Sequence, residues 1–445
     1  MFFGLALIIF ICSILSLCTT PVICCTAKHK YKWFNYILIG LFLAQFFMYY
    51  PGSDVSPWAY TNAELFSIRF FGLTVSSYMS IAVAFFCLSD IVINNRVISK
   101  KALTVFCLAI LPNIWSLLAS GSILDNIDYM LKMSIPFLVF LYLSCIINTE
   151  NIAFFKKIVS FINILLVGQV LVCRLIEHSF SAYSYYLNAE EEYFGYYNQP
   201  HPFTCLLAIL CFWNVYAINK RENVILNLVL VCANILLIYL SSVRTYAVSL
   251  MAGFLYIGVM SLVSSKMKKL RKYVIIAFII LIFLLEYILT SFLLGHGGAD
   301  ISTGRFERWQ LDLKYIFNEY SLVQFLFGNG MRASFEVNNV IFGTYINSLN
   351  LFVDMLIDYG LIGLFMMSFA YYKIFAYTRK TESLHFNTGL LIFFIFACII
   401  NHPASYITCI SLIIIVLFIF KHDKAENNFK VLGVNCRNTL VENNV

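Results

Sequence analysis

The chain has 445 residues, of which 61% are hydrophobic and only 12% charged. That balance leaves too little polar surface to clothe a water-soluble globule of this size, so a string of soluble domains is excluded and lipid is the expected solvent. The formal charge of +7 sits in short stretches between apolar runs, which argues against a nucleic-acid footprint, and most of the 14 cysteines, among them Cys12, Cys24, Cys107, Cys173, Cys205 and Cys211, lie inside apolar runs as buried thiols, not as a disulfide scaffold.

A bilayer core about 30 Å thick takes about 20 apolar residues per helical crossing. In chain order, runs near that length fall at about 3–25, 33–50, 70–93, 102–118, 130–148, 158–176, 202–218, 223–240, 245–263, 273–294, 347–376, 386–400 and 405–420. They predict an all-α integral membrane protein, a polytopic transmembrane helix bundle of about 12–13 helices. Ten lie within residues 1–294 and the others within 347–420, followed by a tail at 421–445 expected in the cytoplasm. The first run has no basic residues before it, and Lys28, Lys30 and Lys32 follow it, so it reads as an uncleaved first helix and not a secretory signal peptide.

Short loops rich in Lys and Arg stay cytoplasmic. With the N-terminus outside, the inner loops collect Lys28, Lys30 and Lys32; Arg96, Lys100 and Lys101; Lys156 and Lys157; Lys220 and Arg221; the cluster from Lys266 to Lys272; Lys373, Arg379 and Lys380; and the basic residues of the tail. Arg69, Lys132, Arg174, Arg244, Arg305, Arg308, Lys314 and Arg332 fall on the outer side and need a reason to be there. Three outer segments exceed a tight turn, near 51–69, 177–201 and 295–346, and long loops on a rigid scaffold tend to carry function. In the last, a large extracytoplasmic loop, Phe306, Trp309, Leu313 and Ile316 recur at helical spacing. This predicts an amphipathic helix lying over the bundle, with Arg305, Arg308 and Asp312 on its other, solvated face, Ser302 or Thr303 capping its start and a turn at Gly328-Asn329-Gly330 beyond it.

Four groups of residues are candidates for chemistry. Arg244, in SSVRTYA (241–247), is held near the membrane by a short outer turn, either as a functional charge or as a snorkelling arginine at a helix end. Arg305 and Arg308, one helical turn apart, can face the same anion, and guanidinium forks bind phosphate bidentately; the alternative is a solvated face with an Arg308–Asp312 pair. In FGYYNQPHPF (194–203), preceded by Glu190, Glu191 and Glu192, the residues Glu192, Tyr197, Asn198 and His201 suit a sugar-binding surface, although interfacial tyrosines also serve as membrane anchors and His201 can be a base or a helix N-terminal polar residue. In the apolar segment 345–365, Asn347, Asn350, Asp354 and Asp358 recur every three or four residues near one helix face, as a functional group paired with the outer arginines or as helix-packing hydrogen bonds. There is no Walker A loop, HExxH, Cys/His cluster with zinc spacing or outer Asp-x-Asp, so no metal and no cofactor is expected.

The order of these features resembles the O-antigen polymerase and O-antigen ligase superfamily, the Wzy-type polymerases and their ligase cousins. The resemblance rests on Ser241, Ser242 and Arg244; a long outer loop opening with Gly304-Arg305 and Trp309; Gly328-Asn329-Gly330; and an Asn-bearing helix running into Asp358-Tyr359-Gly360-Leu361-Ile362-Gly363. It covers roughly residues 190–376; the first half matches only in being polytopic. It implies a GT-C-like, metal-independent membrane glycosyltransferase in the bacterial inner membrane, which takes undecaprenyl-diphosphate-linked glycan as donor and acceptor and has a chain-length regulator protein as a possible partner, with no nucleic acid. Breaking an anomeric C–O–P bond leaves a diphosphate whose developing charge needs fixed cations, and Arg244 and Arg305, supported by Arg308, are the candidates.

Ligases of this group carry a His-Asn pair where this chain reads Leu349-Asn350, or Ile346-Asn347 in an alternative register. The missing histidine favours a polymerase and leaves its acceptor base among Glu192, His201 and Asp354. A flippase or transporter is the reading from another class, but such proteins often carry inverted repeats and midplane helix breaks, whereas the polar residues here gather at one face and in one loop.

Overall fold

The structure, a computed structural model, describes residues 69–70, 73–149, 151–177, 181–183, 191–193, 200–241, 243–262, 305–345, 347–380, 383–403 and 407–423. The apolar runs expected at 3–25, 33–50 and 273–294 lie outside the described residues, as do Ser302, Thr303 and the tail beyond Asp423.

Helices carry the fold. In chain order they are α1 (Val75–Ile93), α2 (Lys100–Ala119), α3 (Ile123–Ile146), α4 (Ile152–Glu177), α5 (Pro200–Asn219), α6 (Val224–Leu240), α7 (Arg244–Leu262), α8 (Arg305–Glu319), α9 (Leu322–Phe327), α10 (Ala333–Phe342), α11 (Leu351–Thr378), α12 (Leu384–Ile400) and α13 (Ile407–His422). Two short antiparallel strand pairs accompany them, β1 (Arg69–Phe70) with β2 (Leu73–Thr74) and β3 (Ser181–Tyr183) with β4 (Glu191–Tyr193). Among the described residues, four helical stretches, Lys100–Ala119, Tyr129–Ile146, His201–Asn219 and Leu351–Thr378, are long and apolar enough to cross a membrane. At 1.5 Å per residue, 18 residues or more reach about 27 Å, close to the hydrocarbon thickness.

The core is formed by α5 and α13, which are enclosed almost completely: Phe203 to Phe212 and Cys409 to Phe420 are buried along nearly their whole length. Helix α12 lies along α7, and it approaches closely because Gly253 and Gly389 stand opposite each other, where a Cβ on either would meet the other's carbonyl oxygen.

The two ends of the bundle differ in chemistry. At one end, the Lys156 ammonium bonds Asp423 at 2.7 Å and also Glu222. The Tyr216 hydroxyl donates to Asp423 at 2.9 Å, and Lys380 donates to the Asp423 carbonyl at 3.2 Å. This is the end at which the charge pattern expects the inner loops. At the opposite end, α7, α11 and α12 meet the segment 305–350, through Thr245, Asp354 and Ile400.

Candidate functional site

Helix α8 is fastened to the bundle by its polar side chains as much as by its apolar ones. Ile316 is buried with Ala333, Val337, Val353 and Ile357, and Trp309 and Leu313 pack on the same cluster. The Trp309 indole donates to the Ser348 carbonyl at 2.8 Å, and Arg308 donates to the Asn347 carbonyl at 3.4 Å while its guanidinium lies 4.8 Å from the centre of the Phe342 ring. At the start of α8, Arg305 reaches into the bundle and donates from Nη1 to the Thr245 hydroxyl at 3.2 Å and to the Ile400 carbonyl at 2.8 Å. Ile400 is the last residue of α12, so the guanidinium stands at a helix C-terminus, where the backbone dipoles favour a cation.

Next to Ile400, a polar relay links three more elements. The Asn401 amide nitrogen donates to Nδ1 of His201 at 2.9 Å, and its Oδ1 accepts the backbone N–H of His402 at 2.8 Å. His402 Nε2 lies 3.3 Å from the Tyr129 hydroxyl and 3.7 Å from Oδ2 of Asp354. The other Asp354 oxygen accepts from the Ser348 backbone at 2.8 Å. Burial pushes His402 down to about 4, although its own backbone opposes the shift, and Oδ2 of Asp354, at 3.7 Å, stands beside the ring beyond hydrogen-bond distance.

Two further carboxylates sit beside this relay. Asp358 accepts the Ser334 backbone N–H at 2.8 Å, which makes it a cap from another helix for the N-terminus of α10. Arg332, in the left-handed region at φ 64°, precedes that helix and lies 5.0 Å from the centre of the Phe335 ring and 5.6 Å from that of Tyr345. Asp312 corrects the expectation that it occupies a solvated face: it is completely buried. The elements from 333 to 353 cover the second face of α8 as well as the first. Burial raises Asp312 to about 6, and Ser348, Arg308 and Asn338 pull in the other direction without overcoming it.

Arg305, His201 and Asp354 are thus brought to one end of the bundle, joined through Asn401, His402 and the carbonyl of Ile400. Arg308 anchors on Asn347, and Asn350 is turned to its own helix, where its side chain accepts from Phe352 and Val353 as the N-cap of α11. Arg244 opens α7 immediately before Thr245, the residue that receives Arg305. Glu192 lies in β4 opposite Ala182, and Tyr197 and Asn198 lie outside the described residues. Sequence reasoning missed Tyr129, Asn401 and His402. The only signal was a polar Asn-His-Pro at 401–403 just after an apolar run.

Comparison of the chain with models of known protein families gave no match, and neither did comparison with curated proteins.

Proposed function

We propose that the chain is a polysaccharide polymerase that joins undecaprenyl-diphosphate-linked repeat units at the outer face of a bacterial inner membrane. It would cross that membrane many times, with the Lys156–Asp423 end inside. The observation that carries the reading is Arg305, held by Thr245 and by the carbonyl of Ile400, the residue before the Asn401 that bonds His201, with Arg308 one helical turn further on.

A leaving diphosphate gains charge as the glycosidic bond breaks, and a guanidinium already oriented by two hydrogen bonds needs little reorganisation to meet it. Of the residues considered as acceptor base, Asp354 has a histidine against it, and the Asp354–His402 pair is the group we assign to accept the sugar hydroxyl's proton. One observation favours the ligase reading: His402 supplies, from a distant part of the chain, a histidine that the segment 346–350 lacks.

Deletion of the gene in its host, with size-resolved analysis of surface polysaccharide and plasmid complementation, separates the readings. Collapse of the ladder to a single repeat on its acceptor supports the polymerase. Unattached polymer accumulating on the carrier lipid supports the ligase, and an unchanged ladder removes both.

A further inference from the structure

The side-chain amide of Asn401 has one allowed orientation. A backbone N–H can only donate, so the atom 2.8 Å from the His402 nitrogen must be the amide oxygen. The other end of the amide is then the NH2 group, which can only donate, and it lies 2.9 Å from Nδ1 of His201. That ring nitrogen must supply a lone pair, and a neutral imidazole with an unprotonated Nδ1 carries its proton on Nε2. Asn401 is itself held in place: it is buried at 3% exposure, and its backbone N–H closes the end of α12 on the Ala397 carbonyl at 2.9 Å.

Around the ring, Arg305 of α8 bonds the carbonyl of Ile400, the residue before Asn401, and its charge bears on His201. Tyr246 of α7 stands edge-on to the imidazole, 6.3 Å between ring centres. His201 is only half-buried, unlike His402 at 2% exposure, so of the two histidines it is the more open to a ligand.

We propose that Asn401 is a positioning residue that locks His201 in the Nε2–H tautomer, so that His201 serves beside Arg305 as a hydrogen-bond donor to the oxygens of a diphosphate group and not as a base. The lock follows from the geometry of Asn401 alone; the choice of diphosphate as ligand rests on the proposed polymerase reading. The assignment removes His201 from the candidate acceptor bases.

The test is 15N NMR of the purified full-length chain in micelles, labelled at its 7 histidines, with His201 identified by the signal lost in His201→Gln. The wild-type protein should give an unprotonated 15N shift at Nδ1 and a protonated one at Nε2. Asn401→Asp offers only acceptors and should reverse the two. A protonated Nδ1 in the wild-type spectrum overturns the lock without recourse to any variant, and so does an Asn401→Asp spectrum with the wild-type pattern.

Titration with inorganic diphosphate and with a polyprenyl diphosphate then addresses the ligand. A shift of Nε2 with both assigns the diphosphate group itself, and a shift with the polyprenyl form alone assigns the lipid-borne one. No shift with either overturns the donor role. These readouts need no turnover, so their failure is distinct from failure of the polymerase reading, which the polysaccharide ladder reports.

Discussion

Gly328 and Gly360 meet backbone to backbone. Helix α11 breaks at Gly360, where φ is 69° and ψ −176°, and the turn that ends α9 at Gly328, with φ 85°, presses into the break. A Cβ on Gly360 would collide with Gly328 and Leu326, and one on Gly328 with Asp358 and Tyr359. Backbone groups around the break are taken up from outside the helix: Asn329 donates to the Ile357 carbonyl and the Ser116 hydroxyl to that of Asp358, each at 2.9 Å. The N-terminal half of α11, with Asp354 and Asp358, is thereby tied to the 305–350 segment, and the C-terminal half, with Met367, Ala370 and Ile374, packs in the bundle core.

Alanine at either glycine should therefore destabilise the fold by roughly 2 kcal/mol or more, since it combines a positive φ with backbone contact. Thermal unfolding in detergent, followed by tryptophan fluorescence, checks this. An unchanged midpoint for Gly360→Ala would mean that the turn is not wedged against the helix.

Arg305→Ala should reduce chain building by about 10²- to 10³-fold, the range seen when one preorganised donor to a developing anion is removed, while membrane abundance stays normal. Arg305→Lys should recover only a small part, because an ammonium cannot reproduce the planar fork that meets Thr245 and Ile400 from one nitrogen. Long chains from the alanine variant would remove Arg305 from the chemistry. Full activity with lysine would reduce its part to charge alone.

The reach of the sequence differs between these elements. Apolar runs of membrane length and the spacing of Trp309, Leu313 and Ile316 mark helices locally, and among the described residues helices stand at those positions. Asp312 was misread because periodicity divides a helix into two faces but does not say that both are covered; here Ile316 packs against residues from 333 to 357 while Asp312 is enclosed beside Asn338 and Ser348. His402 was invisible for a different reason. Its partners Asp354 and Tyr129 are remote in sequence, and a lone histidine after a helix carries no spacing signal.

Asp312 gives a pH-dependent prediction. Its folded value is raised from 3.8 to about 6, so the folded state binds its proton more tightly than the unfolded chain does. The associated stability is present below pH ~4 and is lost as pH rises through about 6. Asp312→Asn removes the buried charge, so relative to wild type it should gain thermal stability at pH 7.5 and gain little at pH 4. Unfolding midpoints of both proteins at the two pH values decide it, and an equal difference at both would show that the carboxyl does not titrate in this window.

Asp354 has two oxygens with different duties, and substitution can separate them. One accepts the Ser348 backbone N–H and fixes the turn into α11; the other faces His402. Asp354→Asn keeps an oxygen for Ser348 but loses the carboxylate, so it should retain stability and lower chain building by about 10²-fold or more, as removal of a general base does. His402→Gln should cost a similar factor, and the double variant should be no worse than the poorer single one, because residues acting as one unit are not additive. Tyr129→Phe, which removes only a neutral contact at 3.3 Å, should have a smaller effect. If Asp354→Asn builds chains normally while Asp354→Ala unfolds, the carboxylate is an anchor for Ser348 and the base lies elsewhere. Additive losses in the double variant would likewise separate Asp354 from His402 and leave each with a role of its own.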